Sequence, residues 1–173
     1  MRHAIDLLCE GGLAGTSIGA VADRAGVSKG VVGYHFPSKD LLLAEVVTSL
    51  YTDAGKQIRS AVDSQPGSVE AIVRYVETNL VFIEANARHV RAVMEIVASG
   101  TFRPDSVDGD PVLTHLVGLI EEGPFAHVHA PSLALIIRSS LDAAAARSVT
   151  GDLDIATFSS QLCAMVRRVL VDT

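Results

Sequence analysis

From Leu43 the apolar positions run Leu43, Val47, Leu50, Ala54, Ile58 and Ala61, at spacings of three and four. Such a stripe is one face of a long amphipathic helix. Ser38 supplies its N-cap and Pro66-Gly67 its end. A second helix fits Val69, Ile72, Val73, Val76, Leu80 and Ile83. A third fits Val90, Val93, Met94 and Val97 and stops at Gly100. Thr101 to Asp110 holds Pro104, Gly109 and three aspartates, which predicts a loop. Asp110-Pro111 then reads as N-cap and first residue of a helix carrying Val112, Leu113, Leu116, Val117 and Ile120, ending near Gly123-Pro124. Two more helices follow Pro131, split at Gly151. No alternating stretch lasts beyond a few positions, so the predicted fold class is all-α.

The last two helices are apolar on more than one face. Leu133, Leu135, Ile136, Ile137, Leu141 and Ala143 to Ala146 leave the first with little polar surface. Ile155, Phe158, Leu162, Met165 and Val169 stripe the second, widened by Cys163, Val166 and Leu170. A helix apolar on two faces must bury two. Either it is the central core helix of a monomer, or the pair forms a four-helix bundle with a second copy. The candidate dimerisation residues are Ile136, Ile137, Leu141, Ala144, Phe158, Leu162, Met165 and Val169.

Residues Ser17 to Phe36 carry the most specific pattern. Val21, Ala22, Ala25, Gly26, Val27 and Val32 have the spacing of a helix-turn-helix, although tight helical hairpins of plain packing share it. Ala22 must be small where a second helix crosses above it. Gly26 stands where a sharp turn needs positive φ. Val21, Ala25, Val27 and Val32 are expected to fill the wedge. Ser28 caps a second helix running to His35. A short helix held this way is the kind that enters a DNA major groove.

Three runs, Thr16-Ser17-Ile18 through Ala22, Ala25-Gly26-Val27-Ser28-Lys29-Gly30, and Tyr34-His35-Phe36-Pro37-Ser38-Lys39-Asp40-Leu41-Leu42, together resemble the DNA-binding domain of the TetR family of bacterial transcriptional regulators. The likeness spans roughly Ala4 to Leu50. It implies a helix-turn-helix domain over residues 1–45 and a helical effector-binding and dimerisation domain over 46–173. Position in that pattern assigns Thr16 and Ser17 to a phosphate at the start of the first motif helix, Thr16 being equally suited to a capping role. Ser28, Lys29, Gly30 and Val31 lie nearest the base edges. There Lys29 suits guanine O6 and N7 or a phosphate, and Val31 suits a thymine methyl. Tyr34 and His35 match family positions that touch backbone phosphate, and Lys39 matches a phosphate clamp. His35 and Lys39 also suit packing and solvent. Two departures stand out. Gly33 replaces a tyrosine common in the family, which removes one contact. Met1 falls about a turn inside the usual first helix, so only Arg2 remains of the basic lead, and either the natural start lies upstream or the first helix is short.

The resemblance also implies an effector pocket among the middle helices. The candidate lining is Tyr51, Phe82, Met94, Phe102, His115, Leu116 and Phe125, each of which also suits plain core. So apolar a set favours a hydrophobic small molecule. Arg74, Glu77, His89, Glu95 and Arg138 suit a polar anchor, and each also suits a solvated face. His127 and His129 form a His-x-His pair, but a metal needs a third ligand and supporting bonds, so no metal and no cofactor is expected. There is no phosphate loop, nucleophile elbow or His-Glu-x-x-His motif, and the adjacent Glu121-Glu122 cannot share a helix face. An enzyme is not expected.

Composition refines this. The 173 residues are 49% hydrophobic, enough to bury a core without staples, and no apolar run approaches the ~18 residues of a membrane span. The N-terminus shows no signal-peptide pattern. Cys9 and Cys163 read as buried thiols of a reducing compartment, so a cytoplasmic protein is expected. The net charge of −6 argues against a surface that binds nucleic acid all over. In the first fifty residues Arg2, Arg24, Lys29 and Lys39 face Asp6, Glu10, Asp23, Asp40 and Glu45, leaving −1, so most of the acidity lies beyond the motif. The expected partners are a double-stranded DNA operator, an apolar effector and a second copy, with no membrane. The expected function is a ligand-responsive regulator, a repressor released by its effector. The alternative is a helical ligand-binding or interaction protein whose motif no longer binds DNA.

Overall fold

A computed structural model describes residues 1–62, 67–100 and 111–171. Its elements, among the described residues, are nine helices: α1 (Arg2–Gly15), α2 (Ile18–Ala25), α3 (Lys29–His35), α4 (Lys39–Val62), α5 (Val69–Ala85), α6 (Ala87–Ala98), α7 (Pro111–Glu121), α8 (Ala130–Thr150) and α9 (Ile155–Val171). The all-α expectation holds, and the helices follow the apolar stripes. The predicted loop Thr101 to Asp110, the Asp110 cap and Pro66 lie outside the described residues.

The chain forms two compact units. The first comprises Met1–Thr52 and Asn86–Arg103, the second Asp53–Ala85 and Pro104–Thr173. The first unit therefore takes in α6 from the middle of the chain. In it, α1 packs on α6 and α2, and α2 packs on α3. Ala4, Leu8, Val21, Ala22, Val32, Val46, Val90, Val93 and Ile96 are among its buried side chains. Polar bonds tie α6 down at several points. Arg88 pairs with Asp6 at 2.8 Å, the Cys9 thiol donates to the Arg88 carbonyl at 3.3 Å, and the His89 ring N–H donates to the Val46 carbonyl at 2.7 Å.

In the second unit α5 packs against α7, α8 and α9, and α8 also packs against α7 and α9. Ile72, Val76, Leu80, Leu116, Ile120, Leu133, Ile137, Leu141, Leu162, Val166 and Leu170 are buried there. An exposed pair, Arg167 and Glu70 at 2.9 Å, joins α9 to α5. Gly151 ends α8 in the left-handed conformation, as its position predicts. Cys163 is buried, and burial pushes its thiol pKa up, whereas Cys9 is half-buried. No described helix is long and apolar enough to cross a membrane.

One local expectation changes. Val27, expected inside the wedge, is 42% exposed. The left-handed Gly26 turns the chain outward, and Val27 contributes its backbone N–H to the Ala22 carbonyl at 3.0 Å instead of its side chain. Separately, α1 is broken at Gly12 (φ 62°, ψ −166°), a feature no local pattern signalled.

Ile72 is fully buried on α5, whereas Val81 on the same helix is exposed. Ile72→Ala is expected to cost about 2–5 kcal/mol of unfolding free energy in urea melts at fixed protein concentration, and Val81→Ala within about 0.5 kcal/mol.

Candidate nucleic-acid interface

The helix-turn-helix is built from short-range bonds that its sequence specifies. Ser17 sits extended ahead of α2 and its hydroxyl accepts from the Ala20 N–H at 3.1 Å. Gly26 ends α2 at φ 68°, ψ 29°, and its N–H donates to the Asp23 carbonyl at 3.2 Å. Ser28 then caps α3, accepting from the Val31 N–H at 3.3 Å. Ser38 caps α4 in the same way, through the Leu41 N–H at 3.2 Å. Each hydroxyl satisfies a donor that the first turn leaves unpaired.

The buried residue of α3 is Val32. Lys29, Gly30, Val31, Tyr34 and His35 are exposed, with Tyr34 84% accessible and its ring edge-on to His35 at 5.4 Å. A helix with one apolar anchor and an aromatic, a cation and a valine on the outside presents a face to something other than its own core. Gly33 is half-buried, with open space where a Cβ would stand.

Other residues of the expected DNA-facing set are engaged within the unit. Thr16 is buried, and its hydroxyl donates to the Gly12 carbonyl at 2.8 Å, so it does not face solvent. The Lys39 ammonium donates to the Leu13 carbonyl. Arg24, outside that set, pairs with Glu10 at 2.6 Å, and this guanidinium holds the Glu10 carboxyl below its ordinary pKa. Lys29 is exposed at the start of α3.

The candidate effector residues are spread over both units. Tyr51 and Met94, half-buried, belong to the first. Phe82, Leu116 and Phe125, buried, and His115, half-buried, belong to the second. Phe102 lies outside the described residues. His115 stands 6.1 Å from the Tyr75 ring, and its Nε2 is buried without a hydrogen-bond partner among the described residues. Of the proposed anchors, His89 is bonded to Val46, Glu95 accepts from the Leu13 N–H at 2.9 Å, and Arg138 pairs with Asp142. The His-x-His rings are bonded locally, His127 to the Val169 carbonyl (3.0 Å) and His129 to the Ser132 hydroxyl (2.8 Å).

The candidate dimerisation residues divide by face. Ile137, Leu141, Ala144 and Leu162 are buried in the core of their own unit, which their helical phase demands and the residue types alone did not reveal. Ile136 (57% accessible), Met165 and Val169 are exposed, and Phe158 is half-buried. Leu135, left out of the predicted set, is exposed beside Ile136. Between α8 and α9 lies an open apolar groove of about 360 Å³, lined by Ile136, Ile137, Leu162, Met165, Val166 and Val169 with the two histidines at its edge.

Residues 1–46 match the family model of the bacterial regulatory proteins, tetR family. Over these residues the chain is similar to the DNA-binding domain of the TetR family. Solved structures extend the likeness in fold to the whole chain. A TetR-like transcriptional regulator from Rhodococcus sp. RHA1 superposes with a TM-score of 0.78 at 19% identity, covering 99% of this chain and 93% of its own. A second transcriptional regulator from Rhodococcus sp. Rha1 gives 0.74 at 20% identity, covering 95% and 92%. A third structure, described as the molecular basis for control of antibiotic production by bacterial hormones, gives 0.73 at 20%, covering 97% and 93%. No curated protein matches the chain. Within the matched residues, Gly26 and Gly33 differ in what they demand.

Gly26 is left-handed and Gly33 is an ordinary helical residue with free space around it. Gly26→Ala is expected to lower stability by about 1–2 kcal/mol. Gly33→Ala is expected to raise it by about 0.5–1 kcal/mol, by removing a flexible residue from a helix interior. Urea melts of the two variants check the opposite signs.

Proposed function

We propose that the chain is a homodimeric, DNA-binding transcriptional regulator that responds to a ligand, and that it is a repressor released by an apolar small molecule. The exposed outer face of α3 carries this reading, because a TetR-family domain has turned Lys29, Val31 and Tyr34 outward and anchored the helix through Val32. In the complex, α3 enters the major groove. Lys29 donates to a guanine, Val31 meets a thymine methyl, and the Tyr34 hydroxyl and His35 ring bond to phosphates. With the Thr16 hydroxyl turned inward, the phosphate at the start of α2 is left to Ser17 and the backbone N–H groups there. Lys39 has three donors. One serves Leu13 and the others suit a phosphate.

Two such domains reach successive half-sites about one DNA turn apart when a second copy covers Leu135, Ile136, Met165 and Val169. The effector reading draws support from the apolar residues of the middle helices and from a fold neighbour tied to control by bacterial hormones. An effector releases DNA only by binding the DNA-free state more tightly than the DNA-bound state. Such a protein acts where the chromosome is, in the cytoplasm.

Selection from a random duplex pool, followed by anisotropy titration, tests the reading. Sequence-preferring, salt-sensitive binding is expected, with a shallow salt slope because few cations face outward. Absence of any sequence preference overturns it. Lys29→Ala is expected to cost about 1–3 kcal/mol of binding and relax selection at one position, and Tyr34→Phe to weaken all sequences alike. Met165→Glu is expected to shift light scattering from dimer toward monomer. It is also expected to lower operator affinity by roughly 10²-fold or more as the linked second site is lost.

A further inference from the structure

The break in α1 is the most unusual backbone feature of the first unit. Gly12 (φ 62°, ψ −166°) occupies a region open essentially to glycine alone, and such a conformation persists only where its surroundings over-determine it. The surroundings bond the peptide that follows it and the next carbonyl. In the Gly12–Leu13 peptide, the carbonyl accepts from the buried Thr16 hydroxyl at 2.8 Å and the N–H donates to the Glu95 carboxylate at 2.9 Å. The next carbonyl, that of Leu13, accepts from the Thr16 N–H at 3.3 Å and from the Lys39 ammonium. Glu95 Oε1 stands 2.6 Å from where a Cβ on residue 12 would be, so the carboxylate fills the space the glycine leaves.

These bonds link three places. Thr16 precedes α2, Lys39 begins α4, and Glu95 projects from α6, outside the residues 1–46 that match the family domain. We propose that Glu95 is a positioning residue for the DNA-facing surface. By holding the Leu13 N–H it fixes the break in α1. The fixed break sets the start of α2 through Thr16 and aims Lys39 through the Leu13 carbonyl. The charge on the acceptor matters, because a carboxylate bond to a backbone N–H is stronger than a neutral one and polarises the Thr16–Gly12–Leu13 chain in the same sense. The proposal rests on the DNA-binding reading above. It adds that the helix-turn-helix is complete only with a side chain supplied from α6.

Full-chain Glu95→Ala and Glu95→Gln proteins test this through two readouts. The first is amide hydrogen exchange at Leu13 in the free protein. The second is anisotropy with a fluorescein-labelled mixed-sequence duplex of about 30 bp at roughly 50 mM salt, well below the melting temperature. In Glu95→Ala, Leu13 exchange is expected to rise roughly tenfold and duplex affinity to fall roughly tenfold, the value of one charge-assisted bond. Glu95→Gln, which keeps an acceptor but loses its charge, is expected to recover only part of both. Combined with Lys39→Ala, the Glu95→Ala loss is expected to shrink, because both act on one Leu13 carbonyl geometry. Unchanged Leu13 exchange in Glu95→Ala overturns the proposal, with or without DNA. Faster exchange with affinity within twofold of wild type, or fully additive losses with Lys39→Ala, overturns it too and leaves Glu95 a stabilising contact alone. A wild-type protein that binds no duplex overturns the DNA-binding reading and the positioning role with it. That failure is distinct from loss of the Glu95 bond, because exchange is read without DNA.

Discussion

α3 has seven residues, about two turns, and one buried side chain. Helices this short do not persist in water, because the cost of the first turn is not recovered by so few further bonds. Everything else in the first unit answers that constraint. Ser28 supplies a cap, the left-handed Gly26 folds α3 back on α2, and Val32 anchors it beside Val21 and Ala22. With the anchor supplied by Val32, the remaining positions are released from packing, which lets Lys29, Val31 and Tyr34 face outward. An interface made of side chains with no duty in the core can vary without unfolding the domain.

The same division between anchoring and exposed positions governs α8 and α9. Ile137 is fully buried while its neighbour Ile136 is largely accessible, because successive residues on a helix point about 100° apart. The buried side closes the second unit, and the exposed Ile136, Met165 and Val169 line a groove that is apolar almost throughout, with Leu135 exposed next in sequence to Ile136. Exposed aliphatic surface of this continuity is costly in water, and a symmetric partner bearing the same strip is the simplest way to cover it.

Much of this was legible in the residue order. Ser28 and Ser38 as caps, Gly26 as a left-handed turn, and Gly151 as the end of α8 each depend on atoms within a few residues, so a local pattern suffices to read them. The apolar stripes likewise placed the helices from α4 onward. Reading failed where direction in space mattered. Val27 suited the wedge by type, yet the turn at Gly26 sends it outward. Ile137, Leu141, Ala144 and Leu162 suited an interface by type, yet their phase puts them in their own core. Thr16 suited a phosphate contact by position, yet it is buried and its hydroxyl bonds the Gly12 carbonyl at the break in α1.

The sequence by itself determined an all-α chain, the helix-turn-helix with its caps and turn, and an apolar C-terminal pair. All of these follow from hydrogen bonds and periodicities that close within one or two turns. Only the tertiary structure decided that α6 belongs with the N-terminal helices, and that Glu95 reaches the Leu13 N–H across 82 positions. That bond depends on a left-handed break in α1 meeting a carboxylate brought by a distant helix. No spacing along the chain records where the two will meet, because their approach is set by how whole helices pack.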